Sequence, residues 1–532
     1  MKHSVVFALS ALFAVVAVAS DAQLPGASSG TGPATGLADS AALRATVFGT
    51  PPQDVAPLPE TVPLEELDVA LPWTRPVPDV FWFDRRLRVW FSAQDKPAPL
   101  AIVISGIGSD GNTSKLATLR AALYGAGYHV LTMPSPTFPG FIVSTSRTGV
   151  AGGLLQDGHD LYEAMQQIVA HLPRRIQITD IDILGYSLGG ANAAVVKSID
   201  AVEGKLKIHR AVMINPPVSL FTSVARLDEL FTVNIGSGDA GVERLYKRLY
   251  TRLANLYRLS DRVPSSDTDL LGAAATVLKT DADFSAAIAL TFRIALMDMF
   301  FAGDLYAGTG ALIDPKHPPR PGDSLEETAR ILRAKPFSEY FAKVFAPYYL
   351  AHRPNSTVDS LKADNRLDII GTALHSNPDY YAQTNSDDVI LDKPELAWLQ
   401  STLGDRIAVY DHGGHLGNQL SGMPLSIARA VRSGYPCCGH RAIGTVHTGL
   451  IFRVSRYCLT DSRKPSLLVT VVPPTSTRMA SPRGVRLISR TCRMLTRQER
   501  LIRNIGCDCK DFSACCSVLR AWKTSRPTVI LT

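Results

Sequence analysis

An α/β fold is what this sequence predicts: a mostly parallel central sheet with helices on both faces, plus a helical cap. Three features point to it. Short apolar runs alternate with helical segments across residues 76–216 and again across 365–432. One of those runs leads straight into the turn "GYSLG" at 185–189, followed by a helix full of small residues. Between 217 and 364 the alternation stops and helical periodicity takes over. Continuous apolar strands separated by helices imply a parallel sheet buried on both sides.

The elements follow in order along the chain. Residues 1–22 carry Lys2, an apolar run from Val5 to Ala19 and small residues after it. That three-part pattern predicts a secretory signal, cleaved after Ala19 or Ala22, and a periplasmic or secreted product. The run of 15 residues is shorter than the roughly 20 a membrane span needs. Residues 23–75, rich in Pro, Gly and Ala, predict a flexible leader. The first part of the body is expected over 76–216, with strand-like residues at 80–92, a buried strand at 98–108 and a helix at 114–127. A strand at 128–136 runs into the proline-rich loop 133–146, and a helix at 154–172 follows. Then come the strand "QITDIDILGYS", the helix "LGGANAAVVKSI" and a strand at 207–217.

The inserted cap is expected over 217–364, with helices at 241–259, 284–303 and 325–351. The segment 284–303 is apolar, but Arg293 and Asp298 interrupt it, which predicts a buried helix rather than a span. Most of its apolar side chains are expected to form the cap's own core, with an acyl-chain wall as the alternative. The second part of the body, 365–432, offers a strand at 379–385, a helix at 394–404, a strand at 405–414 and a helix after Gly417.

The last hundred residues differ in kind. Residues 433–532 hold fourteen arginines and three lysines against four acids, a balance of +13, so the rest of the chain carries −6 of the total +7. All eight cysteines fall there too, so no disulfide framework is expected in the body. This basic tail is expected to be disordered or poorly packed, an artefact of reading frame or gene boundary rather than a part of the body. Its Cys437, Cys438 and His440 lack regular zinc spacing, so no metal site is expected. Nucleic acid is not expected as a partner. Weak contact of the tail with a membrane surface is a third idea, and the sequence does not give the oligomeric state.

G-x-S-x-G alone is a weak signal, since "GASSG" at 26–30 matches it inside the leader. Only the copy at 185–189 sits between a strand and a helix. A nucleophile on so sharp a turn needs neighbours without bulk, which Gly185 and Gly189 supply, with Gly190 and Ala191 helping. Ser187 then stands above the strand ends, with the Leu188 N–H aimed at a substrate oxygen. Here the chain resembles the α/β-hydrolase superfamily, over about residues 80–432, including a cap where that family often inserts one. The resemblance implies a catalytic triad in the chain order serine, acid, histidine. It implies a second oxyanion donor in the loop "SGIGS" (105–109), which makes Ile107 the expected second N–H. Ser105 departs from the histidine that many members carry.

The order leaves His412, His415, His440 and His447 after the last candidate acid. The family's histidine lies in a glycine-rich loop, and within "YDHGGHLGN" His415 matches best, with His412 as the alternative. Asp388, followed by Val389, Ile390 and Leu391, fits the acid best. Asp387 is the alternative or a brace for the loop, and Asp392 before Lys393 and Pro394 reads as a helix N-cap. The histidine would take the serine proton, the carboxylate would fix its tautomer, and two N–H groups would hold the oxyanion. The scheme needs no metal or cofactor. The expected activity is hydrolysis of a small-molecule or lipid ester. Thioester cleavage and acyl transfer would use the same groups, and peptidase chemistry is less favoured. A binding protein that keeps the fold without catalysis is the reading from another class.

Overall fold

The computed structural model describes residues 39–50, 58–73, 75–173, 175–235, 240–247 and 278–419, and the backbone of 451–457 and 466–472. The expected signal, the tail side chains and the helix after Gly417 lie outside the described residues. The chain divides into two units, Met1–Cys437 and Cys438–Thr532.

In the first unit an eight-stranded sheet runs in the order β1-β2-β4-β3-β5-β6-β7-β8. The strands are β1 Glu65–Val69, β2 Leu87–Ser92, β3 Ala98–Ile104, β4 His129–Met133, β5 Ile178–Tyr186, β6 Ile208–Ile214, β7 Tyr380–Asn385 and β8 Ile407–Tyr410. β2 pairs antiparallel with β1 and β4, and every pairing from β4 to β8 is parallel. The central strand β3 shows why the sequence reads as a continuous apolar run. Leu100, Ile102 and Ile104 face one core while Ala101 and Val103 face the other, all wholly buried. Side chains two apart share a face, so a strand covered on both sides has no polar positions to spare.

Helices cover both faces. On the side of Ala101 and Val103, α2 (Ser114–Gly125) packs through Leu116, Leu119 and Leu123. On the opposite side α4 (Leu154–His171) and α5 (Leu188–Glu203) pack through Leu161, Met165, Ala194 and Val195. The carboxylate of Asp200 on α5 ties that helix to the strand after it. It accepts from the Tyr162 hydroxyl (2.6 Å) and from the Leu206 (2.9 Å) and Ile208 (2.5 Å) N–H groups.

Two expectations are corrected. The leader 23–75 is not featureless, because it holds α1 (Ser40–Phe48) and β1, the sheet's edge strand. Asp39 caps α1 by accepting from the Ala41 N–H, and Ala42, Leu43 and Val47 are buried against the body, which gives the helix a reason to form. Within the proline-rich loop, α3 (Pro139–Ser144) forms with proline in its first turn, where the missing N–H costs nothing.

Between β6 and β7 lie α6 (Leu220–Ile235), α7 (Asp281–Ala307), α8 (Glu326–Ala334) and a helical run from Phe337 to His352. The helix α7 is long and apolar enough to cross a membrane, at a mean hydropathy of 1.6, yet most of it is buried within the protein. Arg293 pairs there with Asp228 of α6 at 2.9 Å and stands over the face of Phe231 at 4.2 Å, while its Nη1 has no hydrogen-bond partner among the described residues. The expectation of a core of the cap's own is corrected: Met299 and Phe300 join Tyr340, Phe341, Val344 and Phe345 in a cluster shared with Phe81, Ile142 and Val143 of the body, and Phe284, Leu290 and Ile294 pack in the main core.

In the second unit Ile451–Tyr457 (β9) pairs antiparallel with Ser466–Val472 (β10), where no regular structure was expected. Both segments are rich in the branched and aromatic residues that favour strands.

Replacing Asp200 by alanine would leave several buried donors without an acceptor. The expected loss is about 3 kcal/mol, read from the midpoint of urea unfolding.

Candidate active site

The turn after β5 is built by exclusion of side chains. A Cβ on Gly185 would stand 2.0 Å from the Gly189 carbonyl oxygen, and one on Gly189 would stand 2.2 Å from that of Ile104. Only glycines let strand and helix approach so closely. Ser187 between them has φ 54 and ψ −129, a conformation rare for a residue with a side chain. Its N–H donates to the Ile214 carbonyl at 2.8 Å, which fixes the turn against β6.

Ser187 Oγ lies 3.0 Å from Nε2 of His415. Nδ1 of the same ring lies 3.0 Å from Oδ1 and 3.2 Å from Oδ2 of Asp388. Asp388 in turn accepts from the Asn215 side-chain amide (2.8 Å) and from the Ile390 N–H (3.1 Å). All three residues are buried, Ser187 at 6 % exposure and His415 at 3 %. An alcohol, an imidazole and a carboxylate thus form one hydrogen-bonded line across segments far apart in the chain.

The alternatives stand elsewhere. His412 is exposed, with Nδ1 3.8 Å from Asp387. Asp387 accepts from the N–H groups of Gly413 (3.2 Å) and Gly414 (2.8 Å), which braces the histidine loop. Asp392 caps the helix α10 (Lys393–Leu403), accepting from the Glu395 N–H at 2.8 Å. (The run Phe337–His352 is α9.)

The loop after β3 passes directly over the serine. A Cβ on Gly106 would meet the Tyr186 ring at 2.7 Å and the Ser187 Cβ at 3.2 Å. Gly108 has φ 68 and donates to Thr137 Oγ1 at 2.8 Å, while Ser105 Oγ donates to the Met133 carbonyl at 2.9 Å. Ser105 therefore anchors the loop base. Ile107 at the crest lines the cavity beside His415. Leu188, the first residue of α5, has an N–H without an intrahelical acceptor.

The cavity has a volume of about 80 Å³. Ile288, Thr291, Phe292 and Ala295 of α7 form its cap side, and Thr46 of α1 closes another side. Phe292 and the His415 ring have centroids 6.4 Å apart. Thus α7 divides its apolar side chains between the main core, the cluster it shares with α3 and the cavity wall. Among the described residues no group of three or more His, Cys, Asp or Glu stands where it could hold a metal ion.

Two groups here were not singled out in the sequence. Thr46 accepts from the His415 N–H at 2.8 Å and donates to the Ala42 carbonyl at 2.7 Å. Gly414 and Gly417 pack so tightly on α1 that a Cβ would come within 2.2 Å of the Ala42 oxygen and 2.4 Å of the Ala45 oxygen. The signal for α1 was Asp39 ahead of a helix-compatible run. Asn215 sits at φ 48 directly after β6, a conformation that asparagine tolerates, and Pro216 follows it. A strand ended by Asn-Pro was the available cue.

No protein family and no curated protein matches this chain by sequence. Solved structures similar to it include the 2,6-dihydroxy-pseudo-oxynicotine hydrolase, at 10% identity and a TM-score of 0.34 over 71% of each chain. The Pyrococcus furiosus esterase Pf2001 matches at 10% identity and 0.33, over 70% of this chain and 94% of that one. The thioesterase domain from the curacin biosynthetic pathway matches at 13% and 0.33, over 70% and 99%. These similarities are low, and the assignment stands on the chain's own topology, its glycine-flanked turn and the serine–acid–histidine order. The chain has an α/β-hydrolase fold.

Proposed function

We propose that this protein is a serine hydrolase that cleaves a carboxylic ester through an acyl-Ser187 intermediate. The observation that carries the reading is the line from Ser187 Oγ through the His415 ring to Asp388, with both hydrogen-bond steps at 3.0 Å. A serine hydroxyl is a weak nucleophile at neutral pH and needs a base within hydrogen-bond reach.

The steps follow from those contacts. His415 Nε2 takes the Oγ proton as Oγ bonds to the carbonyl carbon, and the carbonyl π electrons move to oxygen. The N–H groups of Leu188 and Ile107 stabilise that oxyanion, each worth on the order of 3 kcal/mol. Collapse breaks the bond to the alcohol, which leaves with the proton from Nε2. Water then attacks the acyl-enzyme, with His415 again the base, and releases the acid and free Ser187. Asp388 keeps the proton on Nδ1 and supports the imidazolium. Asn215 holds Asp388 so that it can do so.

The apolar wall from α7 favours acyl groups as ligands. The pattern in residues 1–22 supports action after export, in the periplasm or outside the cell.

A fluorophosphonate probe is expected to label the wild type and not Ser187→Ala. A folded wild type that stays unlabelled would overturn the reading in favour of a binding protein. Asp388→Asn is expected to lower kcat on p-nitrophenyl esters by about 10⁴ with little change in KM. Thr46→Val removes the acceptor of a buried N–H, so unfolding free energy should fall by about 1–3 kcal/mol. Thr46→Ser should retain it, as read by urea titration.

A further inference from the structure

We propose that Lys115 binds a carboxylate carried by the ester, so that the preferred substrates are monoanionic. This rests on the hydrolase reading above. The cavity that receives His415 and Ile107 is also lined by Lys115, the second residue of α2. Among the described residues no carboxylate lines that cavity; its other walls are apolar side chains, small hydroxyls, the Tyr186 ring and the imidazole. Among the described residues Lys115 has no ion pair, and Asp110, the acid nearest to it in sequence, accepts instead from the Asn112 N–H at 2.9 Å.

An ammonium in this place is costly by itself. Burial pushes its pKa down to about 8. It also sits in the first turn of a helix, where the helix dipole disfavours a cation and favours an anion. Thr113, the N-cap, makes no side-chain cap bond, and the buried Ser114 Oγ has no hydrogen-bond partner. A bound carboxylate would offset the ammonium, complement the helix end and lie within one cavity of the reacting serine's base. A phosphate dianion against this single cation would leave excess negative charge in a largely apolar cavity. The match is therefore to one carboxylate.

The carboxylate can sit on the acyl side or on the alcohol side, and two substrate pairs separate these. One pair is p-nitrophenyl hemiglutarate against p-nitrophenyl valerate. The other is 4-acetoxybenzoate against its methyl ester. In the wild type one of the two charged-to-neutral ratios of kcat/KM is expected to exceed unity. In Lys115→Met that ratio should fall about tenfold or more, the effect of losing one charge-assisted hydrogen bond. Benzoate, a monoanion, should inhibit neutral-ester hydrolysis in the wild type and lose that inhibition in the variant. Fluorophosphonate labelling on the same preparations separates the two readings. Labelled protein with both ratios unchanged by Lys115→Met overturns the role of Lys115 alone. Folded wild type that is neither labelled nor active on any ester overturns the hydrolase reading and this inference with it.

Discussion

The contact between the end of β3 and the start of α5 is what the remaining geometry depends on. Gly189 lies so close to the Ile104 carbonyl that no side chain fits between them. This approach forces the chain to turn within one residue, and that residue is Ser187 at positive φ. The strain in that residue persists because the surroundings over-determine it: glycines on both sides, a hydrogen bond to β6, and the Gly106 loop pressed on top. The serine oxygen is thus aimed by backbone packing rather than by its own rotamer preferences.

The second constraint is satisfaction of buried polar groups. His415 is buried, and each of its polar atoms in the line has a partner: Nε2 with Ser187, Nδ1 with Asp388, the backbone N–H with Thr46. Asp388 is saturated in turn by Asn215 and Ile390. Any one partner removed leaves a donor or acceptor away from water, which costs more than the bond itself contributes. That interdependence holds the imidazole to one orientation, as the proposed proton transfers require.

Much of this was legible in the sequence because it rests on local pattern. The strand at 98–104 reads as apolar because both faces are covered, and the turn at 185–189 reads from its glycines. Asp388 and His415 were legible once chain order and loop context were applied. The roles of α1 and Asn215 were not. Thr46 reaches His415 across 369 residues, and a long-range tertiary contact leaves no periodic trace. A Pro- and Ala-rich leader looks unable to bury surface by itself; α1 does so only because the body supplies the other side. Asp387 and Asp388 are neighbours of identical chemistry, and only the fold separates the brace of the loop from the carboxylate bonded to His415.

The distance along the chain between Thr46 and His415 has a bearing on biosynthesis. Contacts of such high sequence separation form late, since their loop must close before they are rewarded. A nascent chain emerging from the ribosome can complete β5 and the serine turn long before β8 and its following loop exist. Until then the alcohol has neither base nor carboxylate beside it. Assembly of the hydrogen-bonded line therefore coincides with completion of the body, and a truncated product ending before residue 415 would lack it.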